Sequence, residues 1–236
     1  TSAATSLTIG GNVTLGSGTS FTTGALTHNV AGNWVNNGAT FTSTGSTINM
    51  NGTTQSIGGS SASTFNNLTL STSGTKTFGI ATPISSTLTI NTGVVANLGT
   101  FTHSSNTLTL GGTGQLNGSH GGTTSGATFI NSTFFATATG KINVAACGIT
   151  GLWTGASSTN WATPGNWCDG VVPSASTNVT INSGGNQPEI STAAVCNSIT
   201  LGSGSSLTIN STLGVSGNWT NNGSTVSGSG TVTLSG

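Results

Sequence analysis

Three triplets stand at an interval of twenty residues in this chain: Leu68-Thr69-Leu70, Leu88-Thr89-Ile90 and Leu108-Thr109-Leu110. Ile48-Asn49-Met50 holds the same register one interval earlier. Successive side chains of a strand point to opposite faces, so apolar-polar-apolar text reads as a half-buried strand. A fixed interval of this size implies one coil of a solenoid per repeat, each coil laying its strand on the one before. Other columns share the interval. Phe21, Phe41 and Phe101 are each followed by Thr, and Gly18, Gly38, Gly58 and Gly118 form a column suited to corners with positive φ. Three intervals apart, Gly52-Thr53-Thr54-Gln55-Ser56-Ile57-Gly58 resembles Gly112-Thr113-Gly114-Gln115-Leu116-Asn117-Gly118. No stretch carries helical apolar spacing. The pattern predicts an all-β chain: a right-handed parallel β-solenoid (β-helix) with about 20 residues per coil.

Charge narrows the function classes. Lys76, Lys141, Asp169 and Glu189 are the only charged side chains, there is no Arg, and the formal net charge is zero. Ser, Thr, Asn and Gly must therefore wet the surface. Abundant Thr, Val and Ile with no net charge argue against disorder. Two lysines cannot neutralise a nucleic-acid footprint, nor anchor the chain to an anionic membrane. No apolar run is long enough to span a bilayer. β-Helical hydrolases and lyases need clustered carboxylates or basic groups. Asp169 better suits the Cys-Asp-Gly-Val turn, where Asp bonds its own backbone. No catalytic residue, cofactor or metal site is expected. His28, His103 and His120 lack ligand spacing and read as surface residues, and calcium-binding Asp-rich turns are missing.

Regularity lapses between about residues 136 and 173, where Trp153, Trp161 and Trp167 cluster with Pro164 and Pro173. Triplets then resume at Val179-Thr180-Ile181, Ile199-Thr200-Leu201, Leu207-Thr208-Ile209 and Val232-Thr233-Leu234. One phrase appears near both ends, as Gly32-Asn33-Trp34-Val35-Asn36-Asn37-Gly38 and Gly217-Asn218-Trp219-Thr220-Asn221-Asn222-Gly223. These patterns divide the chain into solenoid repeats over 1–147, then a Trp-rich module with further coils over 148–236.

The Trp-rich text is the most specific in the chain. Trp153-Thr154-Gly155, Asn160-Trp161, Asn166-Trp167-Cys168, Gly170-Val171-Val172-Pro173, Pro188 and Cys196-Asn197-Ser198-Ile199-Thr200-Leu201 resemble a module of very large secreted surface proteins of Bacteroidetes bacteria. Gln55-Ser56-Ile57 leading to Phe65-Asn66-Asn67-Leu68-Thr69-Leu70 is similar to the repeats flanking that module. The resemblance implies adhesin-like or filamentous extracellular proteins, commonly exported by the type 9 route. It also implies a disulfide between Cys168 and Cys196, leaving Cys147 free, buried or paired between chains.

The expected function is that of a non-catalytic structural or adhesive segment, extracellular or on the cell surface. Its partners would be adjoining repeats or other copies stacked end to end, with surface glycans as a further partner class. No signal peptide is visible at Thr1, and the missing initiating Met points to a processed chain or a fragment. No charged or helical cap is visible at either end. A carbohydrate-binding module is the first alternative, with Trp153, Trp161 and Trp167 as a glycan-stacking platform. An ice-binding solenoid is the second, with Thr69, Thr89 and Thr109 as an outward ladder and Thr40, Thr42, Thr100 and Thr102 as a second set.

Overall fold

The computed structural model describes residues 5–236, which form stacked parallel coils of about 20 residues, some 11 turns in all. Among the described residues there is no α-helix, only a 3-10 turn at Pro164–Asn166. The chain divides into two compact units, Thr1–Cys147 and Gly148–Gly236.

The first unit is built on one long parallel face. Strands Thr8–Ile9, Thr27–Val30, Thr47–Met50, Asn67–Leu70, Pro83–Ile90 and Thr102–Leu110 lie side by side in winding order. Ile48 pairs with Leu68, Leu68 with Leu88, and Leu88 with Leu108, all fully buried. Val30, Met50, Leu70, Ile90 and Leu110 form a second buried column two residues on. No single coil could bury such a face; each strand's apolar side is completed by the windings above and below. A second parallel face carries Val13–Leu15, Trp34–Asn36, Gln55–Gly58, Gly74–Phe78 and Val94–Asn97. A third holds only Ser20–Thr22 and Thr40–Thr42, paired with Phe21 opposite Phe41.

The repeated Asn-Asn-Gly phrase encodes a corner. Asn36 Oδ1 accepts the N–H groups of Gly38 (3.1 Å) and Ala39 (2.8 Å). Asn221 Oδ1 accepts those of Gly223 (3.0 Å) and Ser224 (2.7 Å). Gly38 and Gly223 turn at φ 100° and 95°, where a side chain would be strained. The supposed corner column breaks at Gly58, which lies inside the strand Gln55–Gly58 while Gly59 takes the positive φ.

Two expectations about the first unit need correction. Irregularity begins at residue 111, not 136, and ends with a strand, Lys141–Val144, that rejoins the long face beside Thr102–Leu110. The Gly112–Gly118 phrase does not repeat the Gly52–Gly58 winding. Gln55–Gly58 sits in the parallel second face, whereas Thr113–Gly114 folds back antiparallel on Leu110 and Thr109. Gly118–Gly121 likewise runs antiparallel to Lys141–Val144. Antiparallel returns of this kind occupy edge groups that another coil would otherwise use.

The second unit is a three-faced solenoid. Val179–Ile181, Ile199–Leu201 and Trp219–Asn221 make one face. Glu189–Ile190, Ser206–Ile209 and Thr225–Ser227 make the next, and Ala194–Cys196, Thr212–Val215 and Thr231–Leu234 the third. All pairings are parallel.

Candidate functional site

The Trp cluster is core, which removes the glycan-stacking platform. Trp153, Trp161 and Trp167 are 4%, 2% and 2% exposed and pack with Val179, Ile181 and Ile190. Trp167 meets Trp153 and Trp161 edge-on at 5.0 and 4.8 Å between ring centroids. The Trp153 indole N–H donates to the Asn186 carbonyl (2.7 Å) and that of Trp167 to the Trp161 carbonyl (2.8 Å). Trp161 Nε1 is buried without a partner. Buried Asn166 ties the loop together, accepting from Ser157 and Ser158 N–H and donating to Ser158 Oγ and the Asn160 carbonyl. Leu152 and Asn160 form parallel bridges to Thr180 and Glu189. The Trp-rich segment therefore lies on the first winding of the second unit as its cap. Apolar rings carrying one N–H each suit such a cap, because most of their surface can be buried.

The cysteines also pair differently from the expectation. Cys147 and Cys168 are disulfide-bonded and Cys196 is a free, buried thiol. Cys196 belongs to the buried core of the second unit and pairs in register with Val215, and burial pushes its pKa up to about 11. A thiol so placed behaves as a small apolar side chain.

All three histidines are buried, contrary to the surface reading. His28 and His103 perform the same task one-half of the first unit apart. Nδ1 of His28 accepts the Leu7 N–H (3.1 Å), and Nδ1 of His103 accepts the Thr82 N–H (3.1 Å); each donor lies 21 residues earlier. Nε2 then donates to a carbonyl five residues back, Thr23 (2.9 Å) or Leu98 (3.1 Å). An accepting Nδ1 and a donating Nε2 define a neutral ring. Burial holds the His103 and His120 pKa values below normal, against the raising effect of their bonds to the Leu98 and Leu116 carbonyls.

Lys76 is an unexpected core residue, 1% exposed. Its ammonium donates to the carbonyls of Gly52, Thr53 (3.1 Å) and Thr72 (3.2 Å). Thr72 turns at φ 62°, a region that β-branched residues seldom occupy. In the adjoining winding, opposite Lys76, Gln55 binds the Val30 and Gly32 carbonyls and the Gly52 N–H. Burial lowers the Lys76 pKa.

Asp169 accepts the Val171 N–H (3.1 Å), the turn role expected of it, and Glu189 accepts from Asn210 Nδ2 (2.9 Å). No group of three or more metal-ligating side chains is present among the described residues. Thr69, Thr89 and Thr109 pair in one ladder and are half-buried, with Asn29 and Asn49 continuing the column. The second Thr set does not assemble: Thr40 and Thr42 pair with Ser20 and Thr22, while Thr102 pairs with Lys141 on the long face.

The last described winding, residues 217–236, differs in burial from the one before it. In the preceding coil Leu207, Leu213 and Val215 are fully buried. Their register partners Val226, Val232 and Leu234 are 40%, 38% and 62% exposed. The strands carrying them, with Trp219–Asn221, stand at the ends of all three sheets of the unit.

Fold and cysteines together define a disulfide-bearing parallel β-solenoid repeat protein. Residues 152–234 match the family model of a domain of unknown function (DUF8693), a stretch running from the Trp cap through the winding at residues 217–234. No curated protein and no solved structure matches the chain.

Proposed function

We propose that this chain is a non-catalytic structural and adhesive segment of a bacterial cell-surface adhesin or extracellular filament. The register-matched parallel stacking of coils within each unit carries the reading. Leu68 in the first unit and Leu213 in the second are each completed by register partners one coil away, so apolar columns run along the windings. Adjoining repeats or other copies would extend these columns coil upon coil. The surface lacks the charges that usually guard strand edges against association. The Cys147–Cys168 disulfide fits an oxidising, extracellular setting. Both carboxylates already serve local hydrogen bonds, in keeping with a chain that does no acid–base chemistry.

Sedimentation and electron microscopy of the chain test the reading. Concentration-dependent end-to-end association, abolished by Val232→Asn with Leu234→Asn, is the expected result. A chain that stays monomeric at every concentration, with or without those substitutions, overturns stacking between copies.

A further inference from the structure

A groove of about 410 Å3 opens on the first unit where its third face stops. Among the described residues, the sheet of Ser20–Thr22 and Thr40–Thr42 gains no third strand. Residues 59–64 of the next winding carry no strand, and regular pairing resumes only with the bridge from Phe65 to Ile84. Space is left where the continued face would lie.

Phe41 supplies an aromatic wall. Its half-buried ring is held edge-on by Trp34 at 4.8 Å and Phe65 at 5.5 Å, and is stacked with Phe21 at 6.1 Å. Exposed Thr42, Thr44, Thr64 and Ser85 add hydroxyls, and Asn66 adds an amide. Asn66 Nδ2 donates to Ser85 Oγ (3.3 Å), and Asn66 Oδ1 accepts from Asn67 Nδ2 (3.0 Å), so the amide is oriented before any ligand arrives. The buried Ser43 hydroxyl donates to the Thr64 carbonyl (2.7 Å), tying two windings across the groove floor. No lining residue is ionisable.

We propose that this groove binds a neutral carbohydrate, a hexopyranose unit of a free or surface-borne oligosaccharide. A volume of this size falls in the range of small-molecule sites, roughly 300–1,000 Å3. A pyranose offers a face of polarised C–H groups to the electron-rich face of a ring such as Phe41. Its hydroxyls both donate and accept, as do those of Thr and Ser, and the Asn amide provides one group of each kind. An ionised ligand would find no countercharge and would lose hydration without compensation. The lining groups come from three successive windings spaced about 4.8 Å apart, a rigid frame that loses little freedom on binding. The site lies wholly within the first unit and stands or falls independently of stacking at the second.

Amide chemical shifts, followed during titration with cellobiose, maltose and lactose, test the proposal. At least one disaccharide should move Phe41, Thr42 and Asn66, with glucose-6-phosphate giving no stronger response. Thr44→Arg, at an exposed turn position, should abolish the response by filling the groove, and Asn66→Ala should weaken it about tenfold. A glycan array probed with wild type and Thr44→Arg extends the search to larger neutral glycans. No response to any neutral sugar overturns the site, as does a response that survives Thr44→Arg. Unchanged spectra elsewhere in each variant exclude unfolding as the cause of lost binding.

Discussion

Replacing Lys76 by Met separates two opposed contributions of a buried ammonium. Methionine keeps most of the unbranched stem and removes the donor. The carbonyls of Gly52, Thr53 and Thr72 then lose a partner inside the first unit. At about 1 kcal/mol each, the loss is about 3 kcal/mol. Relief of desolvation works the other way, and the lowered pKa of Lys76 shows that burial disfavours its charge. Because the acceptors are backbone groups, no side-chain repacking can replace them, and a net loss of about 2 kcal/mol at pH 7 is expected. Thr72→Gly should recover about 1 kcal/mol of it by relaxing the left-handed corner that the ammonium holds. The pH dependence adds a second check. A folded-state pKa below 10.5 means the unfolded chain takes the proton first as pH falls. Stability from this group should therefore rise as pH climbs toward 10.5 in the wild type and not in Lys76→Met. Both chains should carry Cys196→Ala, since that thiol's raised pKa gives the opposite slope above pH 9. Urea unfolding followed by circular dichroism, with hydrogen exchange to localise the effect to residues 52–78, supplies the measurement. A Lys76→Met chain as stable as its parent would refute the reasoning, because desolvation would then outweigh three carbonyl bonds.

Other outcomes follow from the same structure. Leu68→Ala should cost about 3 kcal/mol, as it opens a cavity between Ile48 and Leu88, whereas neighbouring Thr69→Ala should cost under about 1 kcal/mol; equal effects in urea unfolding would contradict the register. Peptide mapping without reduction should recover Cys147 joined to Cys168, with Cys196 alkylated only after denaturation; a Cys168–Cys196 peptide would contradict the pairing. The His103 pKa lies below 6.5 in the folded chain, so the unfolded chain takes the proton first and stability should fall as pH drops from 7 to 5, staying flat just above 7. His103→Asn should reduce that slope and leave the share of His120, whose pKa is lowered too; an unchanged slope would assign it wholly elsewhere.

The triplets of the long face were readable because inward Leu and Ile positions repeat with both the strand period and the coil period. Trp34 and Trp219 sit in one phrase because the Asn two residues later builds one corner. The alternation rule failed where polar side chains face inward. His103 was assigned outward, yet its strand begins at Thr102, which sets His103 and Ser105 on the buried side. Its partner N–H belongs to Thr82, a residue 21 positions away that no local pattern marks. Lys76 was invisible for the same reason, since its acceptors are backbone atoms of a neighbouring winding and of a corner. Spacing gave no warning of the antiparallel returns at residues 113–121, because Gly-Thr-Gly text serves a turn as well as a strand. The groove beside Phe41 arises from a missing strand, and a face that stops leaves little trace in composition.

The covalent bridge between residues 147 and 168 has a mechanical meaning if the chain bears load. Tension entering at Cys147 leaves at Cys168 through two sulfur atoms, so the intervening segment, with Trp153 and Trp161 packed in the core, is shielded from the force path. Cleaving that bridge by a reductant would place 21 more peptide steps in line, a hidden length of about 70 Å when drawn out. The tether would then lengthen stepwise, and the first tryptophans to feel the pull would be those that close the second unit.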